Sequence, residues 1–248
     1  MDELIERAAR AILESRLTLA LTGAGISVES GIPDFRSRGG LWDRFDPEEY
    51  ATIYAFKKNP EKVWEMLKEM EATVDRARPN PAHQGLAELE KMGFLRAVIT
   101  QNIDNLHQEA GSRDVIEYHG NSRSLICIWC NRRYNYTDKK GEYPPYCECG
   151  KILKPEVIFF GESIPSSAMT RSYQLACSCQ ALLIIGTSVL VYPCSALPIQ
   201  AKQAGSVIIE INLERTVITD QITDIFIQGK ASERVSQVAS AVKQLSRL

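Results

Sequence analysis

Short apolar runs that end in glycine or a small polar residue, separated by helix-forming stretches, limit this chain to few folds. Leu17 to Leu21 runs into Gly23-Ala24-Gly25, and Phe94 to Thr100 runs into Gln101-Asn102-Ile103-Asp104. Val115 to His119 is followed by Gly120, Ala181 to Ile185 by Gly186-Thr187-Ser188, and Val207 to Ile211 by Asn212. Between these runs lie stretches with apolar residues at helical spacing: Leu4 to Leu13, Ala82 to Met92, Asn105 to Ala110 and Ser232 to Leu245. Strands that alternate with helices predict a parallel, doubly wound sheet. Ligands of such sheets sit beyond the carboxyl ends of the strands, so Gly23, Gln101 and His119 are expected to face one crevice. The sheet pattern is expected to resume at Val157 to Phe160.

Two segments depart from this rhythm. From Ser37 to Arg78 the chain is aromatic and helical in pattern, which predicts a helical module or lid carried by the first strand-helix loop. From Asn121 to Pro155 helix formers are few and four cysteines cluster. At 248 residues the chain is long enough for one large domain plus a small one. The expected division is 1–36, 79–120 and 156–248 for the large domain, with 37–78 and 121–155 forming the small one. A net charge of −2 provides no general attraction to nucleic acid or an anionic membrane. No apolar run approaches the roughly 20 residues of a membrane span. The charged, helix-like N-terminus has no signal-peptide core, so the expected location is the cytoplasm.

Cys127-Ile128-Trp129-Cys130 and Cys147-Glu148-Cys149 are separated by 16 residues, close to the spacing of a zinc ribbon. A four-thiolate site has no open position and builds structure rather than performing catalysis. The bland alternative is a disulfide or four unrelated thiols, and the short second pair makes the fourth ligand's geometry a point to check. There are three histidines. His83 follows a proline turn, where it can cap or pack, and His107 lies on an apolar helix face. His119 ends a strand and precedes glycine, where active sites of open sheets collect, and imidazole accepts protons near neutral pH. The Gly23-Ala24-Gly25 turn lets backbone N–H groups approach a phosphate, but Val28 stands where a dinucleotide fingerprint has its third glycine.

Taken together and in order, GAGISVESGIPDFR, TQNID, the His119-Gly120 pair, the cysteine quartet, Phe160-Gly161-Glu162, GTS and Ile211-Asn212 resemble the sirtuins, NAD-dependent protein-lysine deacylases. The match runs through almost the whole chain. The resemblance implies an α/β fold: a Rossmann-like parallel sheet domain with a smaller domain inserted, built from a zinc ribbon and a helical module. It implies NAD, consumed as a co-substrate, and one structural Zn²⁺. By matching position, NAD would meet Gly23, Ala24, Gly25, Ser27, Asp34, Phe35, Arg36 and Trp42 on the first loop. It would meet Gln101, Asn102, Ile103 and Asp104 on the second. Gly186, Thr187, Ser188, Asn212, Leu213, Glu214 and Ala231 would hold the adenosine half.

His119 would be the general base and Asn102 a second catalytic residue. The acyl-lysine carbonyl would attack C1′ as nicotinamide leaves, and His119 would take a proton from the ribose so that its 2′-oxygen reaches the acyl carbon. The peptide would add as a strand between Val157, Phe159, Phe160, Gly161 and Glu162 on one side and Val189, Leu190, Val191 and Tyr192 on the other. Cys127, Cys130, Cys147 and Cys149 would hold the metal. Expected partners are acyl-lysine proteins or peptides, acetylated DNA-associated proteins among them, with no direct nucleic acid contact and no membrane. Relatives that remove succinyl or malonyl groups carry a Tyr and an Arg three residues apart, where this chain has Leu67 and Met70. A buried acyl carboxylate would lack a partner there, which predicts acetyl or longer apolar acyl groups. The competing readings are a mono-ADP-ribosyltransferase, a non-catalytic NAD-sensing or zinc-ribbon module, and a zinc-dependent dehydrogenase, the last needing an open metal position.

Overall fold

Every residue of β1 (Thr18–Thr22) is buried, as a strand with packed faces on both sides must be. The computed structural model describes residues 2–34 and 40–247. In it β1 lies between β2 (Ala97–Thr100) and β7 (Ala181–Ile185), pairing with both in parallel. β3 (Val115–Glu117), β8 (Val207–Asn212) and β9 (Ile225–Gln228) complete a parallel sheet of order β3-β2-β1-β7-β8-β9 among the described residues. Side chains alternate between its faces. Ala20, Val98, Leu183, Ile185, Ile209 and Ile211 pack under α1 (Glu3–Glu14), α5 (Pro81–Lys91) and α9 (Ala231–Leu245). Leu19, Leu21, Ile99, Leu182, Ile184 and Ile208 face α7 (Ser166–Ala176) and α8 (Leu197–Gln203).

The second unit has its own core. α2 (Pro47–Tyr50), α3 (Ile53–Lys58) and α4 (Pro60–Arg76) pack against an antiparallel sheet of β4 (Gly120–Ile126), β5 (Arg133–Asn135) and β6 (Lys154–Val157), in order β5-β4-β6. Phe56, Val63, Trp64, Met66, Leu67, Leu125, Leu153, Val157 and Phe159 form its interior. The Trp64 indole N–H donates to the Leu153 carbonyl at 2.8 Å, tying α4 to the ribbon.

Three sequence expectations change. Val157 to Phe160 does not return to the parallel sheet, because Val157 pairs with Gly120 in the antiparallel one. Its apolar character serves the second core. Gly120 does not close β3 but opens β4, at φ +77°, with its Cα facing the Glu156 carbonyl so closely that a Cβ would lie 2.0 Å from that oxygen. The helix at 105–110 is a single turn, α6 (Leu106–Glu109). β4, β5, β9, α7 and α8 were not anticipated. Among the described residues no helix is long and apolar enough to cross a membrane.

Candidate functional site

The strand order places β1 beside β7, with β2 and β3 built outward on one side and β8 and β9 on the other. This is the topological switch point, where open parallel sheets bind ligands. The two turns that leave it touch backbone to backbone. The Gly25 N–H donates to the Gly186 carbonyl at 2.8 Å and the Gly23 N–H to the Ile185 carbonyl at 3.2 Å. A Cβ on Gly25 would sit 2.7 Å from the Gly186 Cα, and one on Gly23 2.7 Å from the Thr187 Cβ. The glycines are therefore required for close packing, and their N–H groups are committed within the protein rather than offered to a phosphate. Gly25→Ala is expected to cost about 1–3 kcal/mol of stability through overpacking, read as a lower urea midpoint. An unchanged midpoint would mean that the two turns separate freely.

Beyond the turns, polar side chains at the strand ends form one connected set. Gln101 Nε2 donates to Thr187 Oγ1 at 3.0 Å, and Asn212 Nδ2 to the Thr187 carbonyl at 3.0 Å. Buried Ser27 is the hub of the next group. Its hydroxyl donates to Asp104 Oδ2 at 2.7 Å and accepts from Asn102 Nδ2 at 3.0 Å. His83 Nδ1 accepts the Asn80 N–H at 3.3 Å, closing a capping box on α5, so its Nε2–H points to Ser27 Oγ at 3.4 Å. Ser27 thus uses its one proton and both lone pairs. Asp104 Oδ1 caps α6 by accepting the Leu106 N–H at 3.0 Å. Burial pushes the Asp104 carboxyl up, against hydrogen bonds that pull it down.

His83 and His107 lie with ring centroids 4.9 Å apart, and His107 Nε2 is 2.9 Å from Thr22 Oγ1. Burial lowers the His83 pKa to about 4 and holds that of His107 well below 6.5. Both are structural bases beneath the crevice, neutral at pH 7. Sequence reasoning missed Thr22 and Thr100, whose hydroxyls are 2.9 Å apart in this network. Inside a strand each looks like an ordinary β-former.

His119 is partly exposed, and its environment differs. Its Nδ1 lies 3.1 Å from the Gln101 carbonyl. A carbonyl can only accept, so Nδ1 carries the hydrogen and Nε2 keeps its lone pair. Burial lowers its pKa below 6.5, with the Gln101 hydrogen bond opposing. The result is an imidazole neutral at physiological pH whose Nε2 has no hydrogen-bond partner among the described residues.

Two main-chain edges flank this side of the molecule. On one, the Ile158 N–H donates to the His119 carbonyl at 2.8 Å, and Phe160, itself exposed, is bonded through both main-chain groups to Ala51 and Ile53. On the other, buried Val189 has φ +56°, a strained value for a β-branched residue, worth of order 1–3 kcal/mol. Leu190 and Tyr192 beside it are exposed. Among the described residues the main-chain groups of Gly161 and Leu190 enter no hydrogen bond.

The other expected contacts lie on several elements, Trp42 among them on the second unit. The Trp42 ring lies 6.5 Å from that of Phe160. Ala231 begins α9, where Glu29 accepts the Ser232 N–H at 3.1 Å, while Leu213 and Glu214 are exposed after β8. Phe35 and Arg36 lie outside the described residues.

The four clustered cysteines converge. All four sulfurs lie within 4.8 Å of one another, with Cys127–Cys149 and Cys130–Cys147 at 3.5 Å, and none forms a disulfide. Tetrahedral sulfurs 2.3 Å from zinc lie about 3.8 Å apart, so the set fits a four-thiolate Zn²⁺ site, short C-x-C pair included. The Tyr134 hydroxyl, 3.2 Å from Cys147 Sγ, supports it from outside.

A doubly wound sheet with glycine turns at its switch point, amides and a base beyond it, and a cysteine-built ribbon beside it defines a nucleotide-binding α/β protein with a structural metal knuckle. The sequence profile of the Sir2 family matches residues 23–193, and the chain belongs to that family. It is 44% identical to the NAD-dependent protein deacylase of Thermococcus kodakarensis, over 98% of this chain and 97% of that protein. A crystal structure of a Sir2 homologue–NAD complex superposes with a TM-score of 0.91 at 42% identity, over 97% of this chain and 94% of that one. A Sir2 enzyme bound to a myristoylated histone peptide superposes with a TM-score of 0.85 at 39% identity, over 100% and 99% of the two chains.

Proposed function

We propose that this protein removes acetyl and other apolar acyl groups from protein lysine side chains in an NAD-dependent reaction, forming nicotinamide, 2′-O-acyl-ADP-ribose and free lysine. The observation that carries the mechanism is His119, its Nδ1 held by the Gln101 carbonyl, so that Nε2 keeps its lone pair. NAD, as a substrate, supplies a ribose C1′ electrophile when nicotinamide leaves. The residues of the chain do the rest. Asn102 and Asp104, fixed by Ser27, present an amide and a carboxyl to the nicotinamide and its ribose. Gln101, Thr187 and Asn212 line the path to the adenosine end, where Gly186, Ser188, Leu213, Glu214 and Ala231 complete it. His119 takes the ribose hydroxyl proton on Nε2 as general base, which the Gln101 carbonyl prepares by holding Nδ1–H. Because Phe160 is already bonded to the helical module, the acyl-lysine peptide finds its main-chain partners at Gly161 and Leu190.

The division we propose is 1–36, 79–120 and 156–248 against 37–78 and 121–155; the packing of Val157 and Phe159 into the second core favours a last boundary nearer Phe160. Four reduced thiols in a metal site suit the cytoplasm, where we place the protein. Substrates then include acetylated proteins, DNA-associated ones among them.

The acyl preference follows from a cleft along α4. Trp64, Leu67, Met70, Val74, Ile103, Leu125 and Val157 line it, with Glu71, Asp75 and Arg123 also on its wall. Ile103 adjoins Asn102, so the cleft starts at the reaction site. Arg123 is paired with Asp75 at 3.2 Å and Glu109 at 3.1 Å, so an acyl carboxylate meets no uncommitted cation there. Leu67→Tyr with Met70→Arg is expected to raise desuccinylation relative to deacetylation by roughly tenfold or more, because the pair supplies that charge. An unchanged ratio would show that these positions do not face the acyl group. The reading as a whole is tested with acetyl-lysine peptide and NAD, following nicotinamide release by chromatography and products by mass spectrometry. ADP-ribosylated protein in place of free acyl-ADP-ribose would turn the assignment to ADP-ribosyl transfer.

A further inference from the structure

Lys154 is an anomaly of the second core: a lysine on β6 that is 2% exposed. Burying an ammonium is costly unless every N–H finds an acceptor. Here all three do. Nζ lies 2.7 Å from the Val157 carbonyl, 3.1 Å from the Pro155 carbonyl and 3.0 Å from Glu162 Oε2. The Phe159 ring closes the remaining side, with its centroid 4.5 Å away. Glu162 Oε2 also accepts the Phe159 N–H at 2.8 Å, and the Glu162 N–H returns to the Phe159 carbonyl at 3.0 Å.

Residues 154–162 are thus wound around one positive charge, and that winding replaces the strand pairing that stops at Val157. The outer side of the same loop makes the site. Ile158 is bonded to His119, Phe160 to Ala51 and Ile53, and Gly161, at φ +85° beside Tyr54, makes no main-chain hydrogen bond among the described residues. Beyond the single Thr52–Phe160 bridge, no strand ladder sets the spacing of these groups among the described residues.

We propose that Lys154, acting through Glu162, is a positioning residue that sets the Phe159–Glu162 edge for the acyl-lysine peptide. The assignment rests on the deacylase reading above. It predicts an effect on peptide binding separate from NAD binding, because the proposed NAD contacts share no hydrogen bond with Lys154 or Glu162, and Trp42 meets this edge only through the Phe160 ring.

The test uses the full-length, zinc-loaded protein with acetyl-lysine peptide and NAD. Lys154→Met is expected to raise the peptide KM roughly tenfold while the NAD KM stays within about twofold. Lys154→Arg, which keeps the charge, is expected to recover most of that loss. If Lys154→Met does not fold, Glu162→Gln serves instead, since the ammonium keeps both carbonyls while the tie to Glu162 weakens. A peptide KM unchanged in a folded variant would overturn the assignment, as would a parallel rise of both KM values with a lowered melting temperature, the mark of a merely structural lysine. A wild-type protein that releases no nicotinamide would overturn the deacylase reading, and this one with it.

Discussion

His119→Ala is expected to lower kcat/KM for acetyl-lysine peptide with NAD by about a hundred- to ten-thousand-fold, the range of a lost general base. The variant should still fold, because the side chain is partly exposed and, among the described residues, hydrogen-bonds only to the Gln101 carbonyl. Gln101 N–H to the Thr22 carbonyl, at 3.0 Å, remains to hold that loop. NAD binding, measured directly, should change little, which separates a missing base from a collapsed pocket. The wild-type pH profile provides a second check. Burial holds the His119 pKa below 6.5, and the base works only when neutral. Activity should therefore be full at neutral pH and fall on acidification through a pKa lower than that of a free imidazole. A rate that survives the substitution, or a limb centred above 6.5, would remove His119 from the mechanism.

Loss of the metal should be nearly as severe, by another route. Chelation, or Cys147→Ser, is expected to melt the β4–β6 unit and to reduce turnover at least tenfold. Structural zinc contributes apparent binding free energies of about 10–16 kcal/mol, comparable to the roughly 5–15 kcal/mol that holds a whole domain together. Cys127 and Cys147 are buried and packed into the second core, so it loses its pin when their ion leaves. β4 begins at Gly120, directly after His119, and β6 leads to Ile158, which bonds His119. Circular dichroism, zinc content and nicotinamide release should fall together while the large sheet persists. A metal-free protein with full activity would show that the ribbon is only an attachment.

Where the polar side chains of the candidate site would lie was legible in the sequence. His119, Gln101, Asn102, Gly186 and Asn212 announce themselves because each ends a run of β-prone apolar residues, and a parallel sheet collects such ends on one side. The cysteine quartet was equally plain, since two short-spaced pairs match the ligand spacing of a zinc ribbon. The errors have one physical origin. Val157 to Phe160 is apolar enough for a central strand, but burial against α3 and α4 asks for the same residues as burial inside the large sheet. Local composition does not distinguish the two. Lys154 was invisible for the opposite reason. A lysine in a sequence looks like surface, and only its three acceptors make it interior.

What the sequence determined by itself was therefore most strands and helices of the large domain, their alternation, the residue types at their ends and the family to which the chain belongs. Those follow from short-range rules: periodicity, turn residues and ligand spacing. The tertiary structure decided adjacency. Thr18 pairs with Ala181 across more than half the chain, and that pairing creates the switch point. It brings Gly25 against Gly186, and it turns a weak glycine motif into a packing contact whose N–H groups are already used. The register between strands so far apart depends on how every intervening face is buried, and no local stretch of residues encodes it.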